Sequence, residues 1–149
     1  MCIFVKIEFM KINSYINSPK KFNIEELIQF VAQRLNISED VELSLVYKNR
    51  LLDMFSKNMD CKAILIHPRE KQYILMLKED VTGLQYIICH EMVHLKQYES
   101  GDLKMKDNYK ILIWKGVEYD NTSEYDNREW EIEAFDMQDK LWKEFKKQQ

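Results

Sequence analysis

The sequence predicts an α+β fold, and three features of its patterning carry that prediction. Apolar residues alternate over residues 1–12 and 41–47, and short apolar runs that also read as strands follow at 63–66 and 72–77. Apolar residues recur at helical spacing over 24–35, from about 82 to 100, and from about 127 to 145. The third feature is scarcity of breakers: three glycines and two prolines in 149 residues leave little for linkers. With 46% hydrophobic residues the chain can close a core of its own, so residues 1–149 are expected to form one domain without internal repeats.

The elements follow in order. Ile3, Val5, Ile7 and Phe9 alternate with charged residues, which suits a half-buried strand over 1–12, and Asn17-Ser18-Pro19 then makes a turn. Asn23 stands as an N-cap before Glu25 and Glu26, and Ile24, Leu27, Ile28, Val31 and Leu35 form the stripe of a helix ending near Asn36. Strands follow at 41–47 and at Ala63–Ile66, the second stopped by His67-Pro68. A third strand, 72–77, is expected to offer an edge to an extended peptide. Behind it a helix starts at about Thr82 and stops at Glu99–Asp102, with Gly101 as its C-terminal cap. Residues 109–114 read as a strand, Lys115-Gly116 as a tight hairpin into Val117–Tyr119, and 120–127 as a polar loop. The last helix begins near Asn127 or Arg128 and carries Trp130, Ala134, Met137, Leu141, Trp142 and Phe145.

Composition excludes several classes of function. The 22 basic and 25 acidic residues give a formal charge of −3, without the basic excess that phosphate-backbone binding requires, so no nucleic-acid partner is expected. No stretch approaches the roughly 18 apolar residues of a membrane span. The N-terminus has charges within its apolar run and does not read as a signal peptide. Cys2, Cys61 and Cys89 are odd in number and irregularly spaced, which fits a reducing, cytoplasmic setting rather than a disulfide framework. The richness in Lys, Ile and Asn suggests an AT-rich genome, bacterial or phage.

The chemistry starts at His90-Glu91-Met92-Val93-His94, the HExxH pattern of zinc hydrolases. On a helix His94 lies about 40° around the axis from His90 and one turn along, so both imidazoles can reach one ion. Glu91 falls on the same sector, placed to take a proton from bound water. Two of the chain's three histidines thus sit at i and i+4 on a largely apolar helix, where burying them needs a shared purpose. A catalytic zinc site has three protein ligands and an open position. A histidine six residues after His94 is ruled out by Ser100, and Cys61 lacks the glutamate-glycine-cysteine context of a deformylase. His67, before Pro68, reads more simply as a loop histidine, and Cys89 as a packing residue. The carboxylates of the last helix remain.

Here the chain resembles the gluzincin metallopeptidases, in which HExxH is completed by a glutamate on a second helix. Glu131-Ile132-Glu133-Ala134 with Met137, Gln138 and Leu141 is similar to the glutamate helix of compact ImmA/IrrE-like and minigluzincin-type proteins, and the resemblance covers about residues 72–142. It implies a zincin-like fold, with a small mixed sheet packed on an N-terminal helix, the HExxH helix and a C-terminal glutamate helix. It also implies Zn2+ held by His90, His94 and Glu133, the glutamate directly before alanine. Helical geometry keeps Glu131 open as the alternative, since it lies nearer the middle of the apolar face, and Glu129 is a further candidate. The plainer reading of all three is an acidic first turn favoured by the helix dipole. Asp136 could accept from a ligand histidine, although the family's usual position for that group holds Met137.

The expected activity is hydrolysis of a peptide or protein substrate, with Glu91 as general base. Tyr98, Tyr119 and Tyr125 are candidates to stabilise an oxyanion, each also readable as packing. Two other readings stay open: a metal-binding or degenerate domain that recognises a partner without cutting it, and a non-peptidase zinc hydrolase of deformylase type using Cys61.

Overall fold

Leucines at alternate positions build the main sheet. The computed structural model describes residues 9–16, 22–47, 62–79, 81–107, 110–120 and 128–149. Within these, β1 (Lys11–Ser14), β2 (Glu42–Tyr47), β3 (Ala63–Arg69) and β4 (Gln72–Leu77) form a four-stranded sheet in the order β1-β2-β4-β3. β1, β2 and β4 are parallel, and β3 folds back antiparallel on β4. Parallel strands need a crossover, and α1 (Ile24–Arg34) supplies it between β1 and β2. Leu43 and Leu45 of β2, with Tyr73, Leu75 and Leu77 of β4, are fully buried on one face. They share a core with α1, with α2 (Leu84–Ser100) and with α3 (Glu129–Lys147) through Ile28, Val31, Ile88, Met92, Ala134 and Phe145.

A second sheet is an antiparallel meander of β5 (Leu103–Lys106), β6 (Ile111–Trp114) and β7 (Val117–Asp120). Leu103, Leu112 and Trp114 form a separate small core with Trp130, at the start of α3. The mixed α+β architecture thus has three helices and two small sheets among the described residues. No helix there is long and apolar enough to cross a membrane.

Local chemistry explains the boundaries. The Asn23 side chain accepts from the Glu26 N–H at 3.1 Å, capping α1 as expected. Gly101, at φ +80°, closes α2 with its N–H on the Tyr98 carbonyl. Lys115 and Gly116 both take positive φ, the signature of a two-residue type I′ hairpin between β6 and β7.

Four expectations require correction. β3 does not stop at Ile66 but continues through His67 and Pro68 to Arg69. It is an edge strand with an irregular register there, and an edge tolerates the missing proline N–H. For the same reason β4 is an inner strand and offers no edge to a peptide, because the turn at Glu70-Lys71 lays β3 alongside it. Among the described residues the first strand runs from Lys11 to Ser14, two residues past its expected end at 12, and residues 1–8 of its expected span lie outside the described set. β5 was not expected, since the four residues Leu103-Lys104-Met105-Lys106 behind a helix cap carry little periodic signal. The turn at 17–19, the 121–127 loop, Cys2, Cys61 and Tyr125 also lie outside the described residues.

Leu75 pairs with Leu45 on one side and Leu65 on the other, at the middle of the sheet. Leu75→Ala is expected to cost about 2–5 kcal/mol of unfolding free energy, against about 1 kcal/mol for Asn23→Ala at the helix cap. Urea titration of both variants checks the order, and a smaller loss at Leu75 would contradict this core.

Candidate metal centre

The most extensively packed pair of elements is α2 against α3, and polar atoms lie inside that seam. His90 and His94 project from α2 one turn apart, their rings 4.8 Å between centroids. Glu131 reaches them from the first turns of α3. Its Oε2 lies 3.0 Å from His90 Nε2 and its Oε1 2.9 Å from His94 Nε2, while the two Nε2 atoms are 3.1 Å apart. His94 and Glu131 are 8% and 5% exposed, and the His90 side chain 13%. His90, His94 and Glu131 are the group of donors able to hold a metal ion among the described residues.

The carboxylates of α3 separate into three assignments. Glu129 accepts from Trp114 Nε1 at 2.8 Å, Glu131 joins the two imidazoles, and Glu133 accepts from Gln97 Nε2 at 3.1 Å. The structure therefore brings in Glu131, the alternative, in place of Glu133. Glu131 and Glu133, two positions apart on a helix, are about 160° apart around its axis, so both cannot face one point. The side toward the imidazoles belongs to Glu131, which shares its stripe with Gln138, seven residues and only about 20° away.

Two glutamines complete the arrangement: Gln97, which the sequence did not single out, and Gln138, named there only within the glutamate-helix resemblance. Gln138 Oε1 lies 3.0 Å from His90 Nδ1, and Gln97 Oε1 lies 2.8 Å from His94 Nδ1. The amide of Gln97 cannot be turned round, because its Nε2 faces two acceptors, the Trp130 carbonyl at 3.0 Å and Glu133. His94 Nδ1 must then carry the proton that Gln97 accepts, which leaves the Nε2 lone pair directed at Glu131 and His90. The i+3 spacing of Gln97 from His94 was visible in the sequence, but glutamine on a helix is too common to stand out.

Lone pairs so close repel unless a cation lies between them. In the metal-free chain that cation is a proton. Burial alone would lower the His94 pKa, but the hydrogen bond to Glu131 and the charges of Glu91 and Glu131 push it up to about 9. Burial alone would raise Glu131, and the hydrogen bonds and charges of His90 and His94 outweigh it and hold the carboxyl at about 2. Glu91 stands beside the same cluster. Burial raises its carboxyl above the ordinary range, opposed by the charges of His94 and His90 and aided by that of Glu131.

The other candidates lie elsewhere. His67 stacks on Tyr73 at 4.2 Å and away from the cluster, with burial holding its imidazole below the ordinary range. Tyr98 packs against His67 and Tyr73, and Tyr119 against Trp130. Asp136 is exposed. Cys89 is fully buried, and burial pushes its thiol up to about 12, which suits packing rather than ligation.

In comparisons with known proteins, no family model, no curated protein and no solved structure matches the chain.

The two shifts define a pH window for the metal-free protein. His94, raised from 6.5 to about 9, contributes stability that is full below 6.5 and lost as pH rises through 9. Glu131, lowered from 4.5 to about 2, contributes stability that is full above 4.5 and lost as pH falls through 2. With chelator present, melting temperature should be highest between these limits and fall on both sides. Glu131→Gln should flatten both limbs, and an unchanged profile in that variant would show that the pair does not form.

Proposed function

We propose that the chain is a zinc-dependent peptidase, with zinc held by His90, His94 and Glu131. The observation that carries this reading is the convergence of three buried donor atoms with both Nδ1 atoms occupied by amide oxygens. The two Nε2 atoms are 3.1 Å apart, close to the edge of about 3.3 Å that tetrahedral zinc imposes on ligands at about 2.0–2.1 Å, and each has an oxygen of Glu131 at 3.0 or 2.9 Å. Two imidazoles and a carboxylate are ordinary donors for that metal and leave a fourth position open. Zinc there would supply a water acidic near neutrality and a Lewis acid for a carbonyl oxygen.

The chain's own residues do the rest. His90 and His94 present Nε2 because Gln138 and Gln97 hold their Nδ1 protons. Glu131 offsets one of the two positive charges of the metal. Glu91, its carboxyl raised by burial, takes the proton of the attacking water and returns it to the leaving amine. Phe135, 49% exposed with its ring 4.6 Å from that of His90, gives the centre an apolar neighbour on which a substrate side chain can rest. The deformylase alternative relied on Cys61 as third ligand, and Glu131 makes it unnecessary. The resemblance to compact gluzincins, with their zincin-like fold, supports the same reading with Glu131 in the position first given to Glu133.

Purified wild-type protein should carry one equivalent of zinc by metal analysis. Glu131→Ala should lose it and Glu133→Gln should keep it; the opposite pattern would return the ligand role to Glu133. Glu91→Gln separates an enzyme from a binding module. Zinc content should stay at one equivalent while cleavage of an unfolded protein substrate falls by about 100-fold or more. Equal cleavage by the variant would remove Glu91 from the chemistry.

A further inference from the structure

Gln97 is 2% exposed, the most deeply buried polar residue described. Burying an amide is costly unless its hydrogen bonds are made, and an apolar side chain would fill the α2–α3 seam at less cost. Here both ends of the amide are used. Oε1 takes the His94 Nδ1 proton, and the two N–H groups go to the Trp130 carbonyl and to Glu133. Trp130 is the residue directly before Glu131. One side chain thus fixes the ring of a donor on its own helix and the backbone that carries a donor on the other. Gln138 does less, since it holds only the ring of His90 and shares a helix with Glu131.

We infer that Gln97 is a positioning residue that sets His94 and Glu131 jointly, with Glu133 as the group that orients its amide. This rests on the metal-centre reading above. The donor end of the amide then matters as much as the acceptor end. Gln97→Glu keeps an acceptor for His94 Nδ1 but loses both donors and sets a carboxylate against the Trp130 carbonyl and Glu133. Adding Glu133→Gln returns an N–H donor to that introduced carboxylate.

The test measures zinc affinity by competition with a chelating dye, the visible absorption of the cobalt-loaded protein, and melting of the chelated protein. Gln97→Glu and Gln97→Met should each weaken zinc by about 10- to 100-fold and alter the cobalt bands. The double variant Gln97→Glu/Glu133→Gln should recover most of the affinity lost by Gln97→Glu. Gln138→Met should weaken zinc less than Gln97→Met. A wild-type chain that binds no zinc overturns the metal-centre reading and this inference with it. If the wild type binds and Gln97→Glu binds as tightly, only the Nδ1 acceptor matters and joint positioning fails. A weakened Gln97→Glu that Glu133→Gln does not rescue overturns the role of Glu133. Lower melting temperatures with unchanged zinc affinity and cobalt bands would make Gln97 a bolt between helices and nothing more. Should the Gln97 variants not fold, Glu133→Ala still decides, because unaltered cobalt bands there would overturn the orientation of the amide.

Discussion

Two imidazole nitrogens 3.1 Å apart, each facing its own oxygen of the Glu131 carboxylate at about 3 Å inside the α2–α3 seam, are the constraint on which the rest of this structure depends. Left to themselves, two imidazole nitrogens and a carboxylate separate into water, where each is better solvated. They stay together because surrounding groups remove their alternatives. Each Nδ1 has an amide oxygen, and Glu131 has two ring nitrogens. A cation between them then turns mutual repulsion into attraction, and the low-dielectric seam strengthens that attraction.

Both sheets serve this seam from opposite ends. The four-stranded sheet carries α2 on its buried leucine face, and the far end of α2 is tied back to β4, where Glu99 accepts from Tyr73 Oη and from Lys71 Nζ. The three-stranded sheet acts on α3. Its core closes over the Trp130 side chain, and Trp114 donates to Glu129, so the first turn of α3 is gripped at Glu129 and at Trp130, the residue that precedes Glu131. At the other end Leu141 and Phe145 enter the main core, with Phe145 edge-on to Phe30 of α1. A helix fixed at both ends can carry a carboxylate to a chosen point. A loop could not do so with comparable precision.

Much of the fold was legible because its signals are local. Asn23, Gly101 and Lys115-Gly116 mark their turns by backbone chemistry that hardly depends on the rest of the chain, the period of Leu43-Leu45 declares a buried strand face, and the apolar run 73–77 declares a strand. Sheet order was not legible, since an alternating strand reads the same in the middle or at an edge. The position of β4 depends on where β3 comes to rest. In the candidate centre, His90 and His94 were found from spacing alone, because one helix brings them together. The choice between Glu131 and Glu133 depended on the rotation of α3 about its axis, which Trp130 and the small sheet set from outside the helix. Gln138 was legible only as part of the glutamate-helix resemblance and Gln97 only as an ordinary helical glutamine, since their roles arise only after two helices meet.

Glu131 and His90 are 41 positions apart in the chain. A metal held by both is therefore also a cross-link, closing a loop that includes β5, β6 and β7. The unfolded chain keeps only the neighbouring His90–His94 pair as a weak two-point ligand, so binding the third donor requires the intervening meander to be in place. Closing a loop of this length costs several kcal/mol in chain entropy, which folding bears before the ion arrives. An ion bound there would hold what folding has assembled, and free metal above its dissociation constant would draw the population toward the native state. For a chain that binds such an ion, the supply of metal would govern how much folded protein exists.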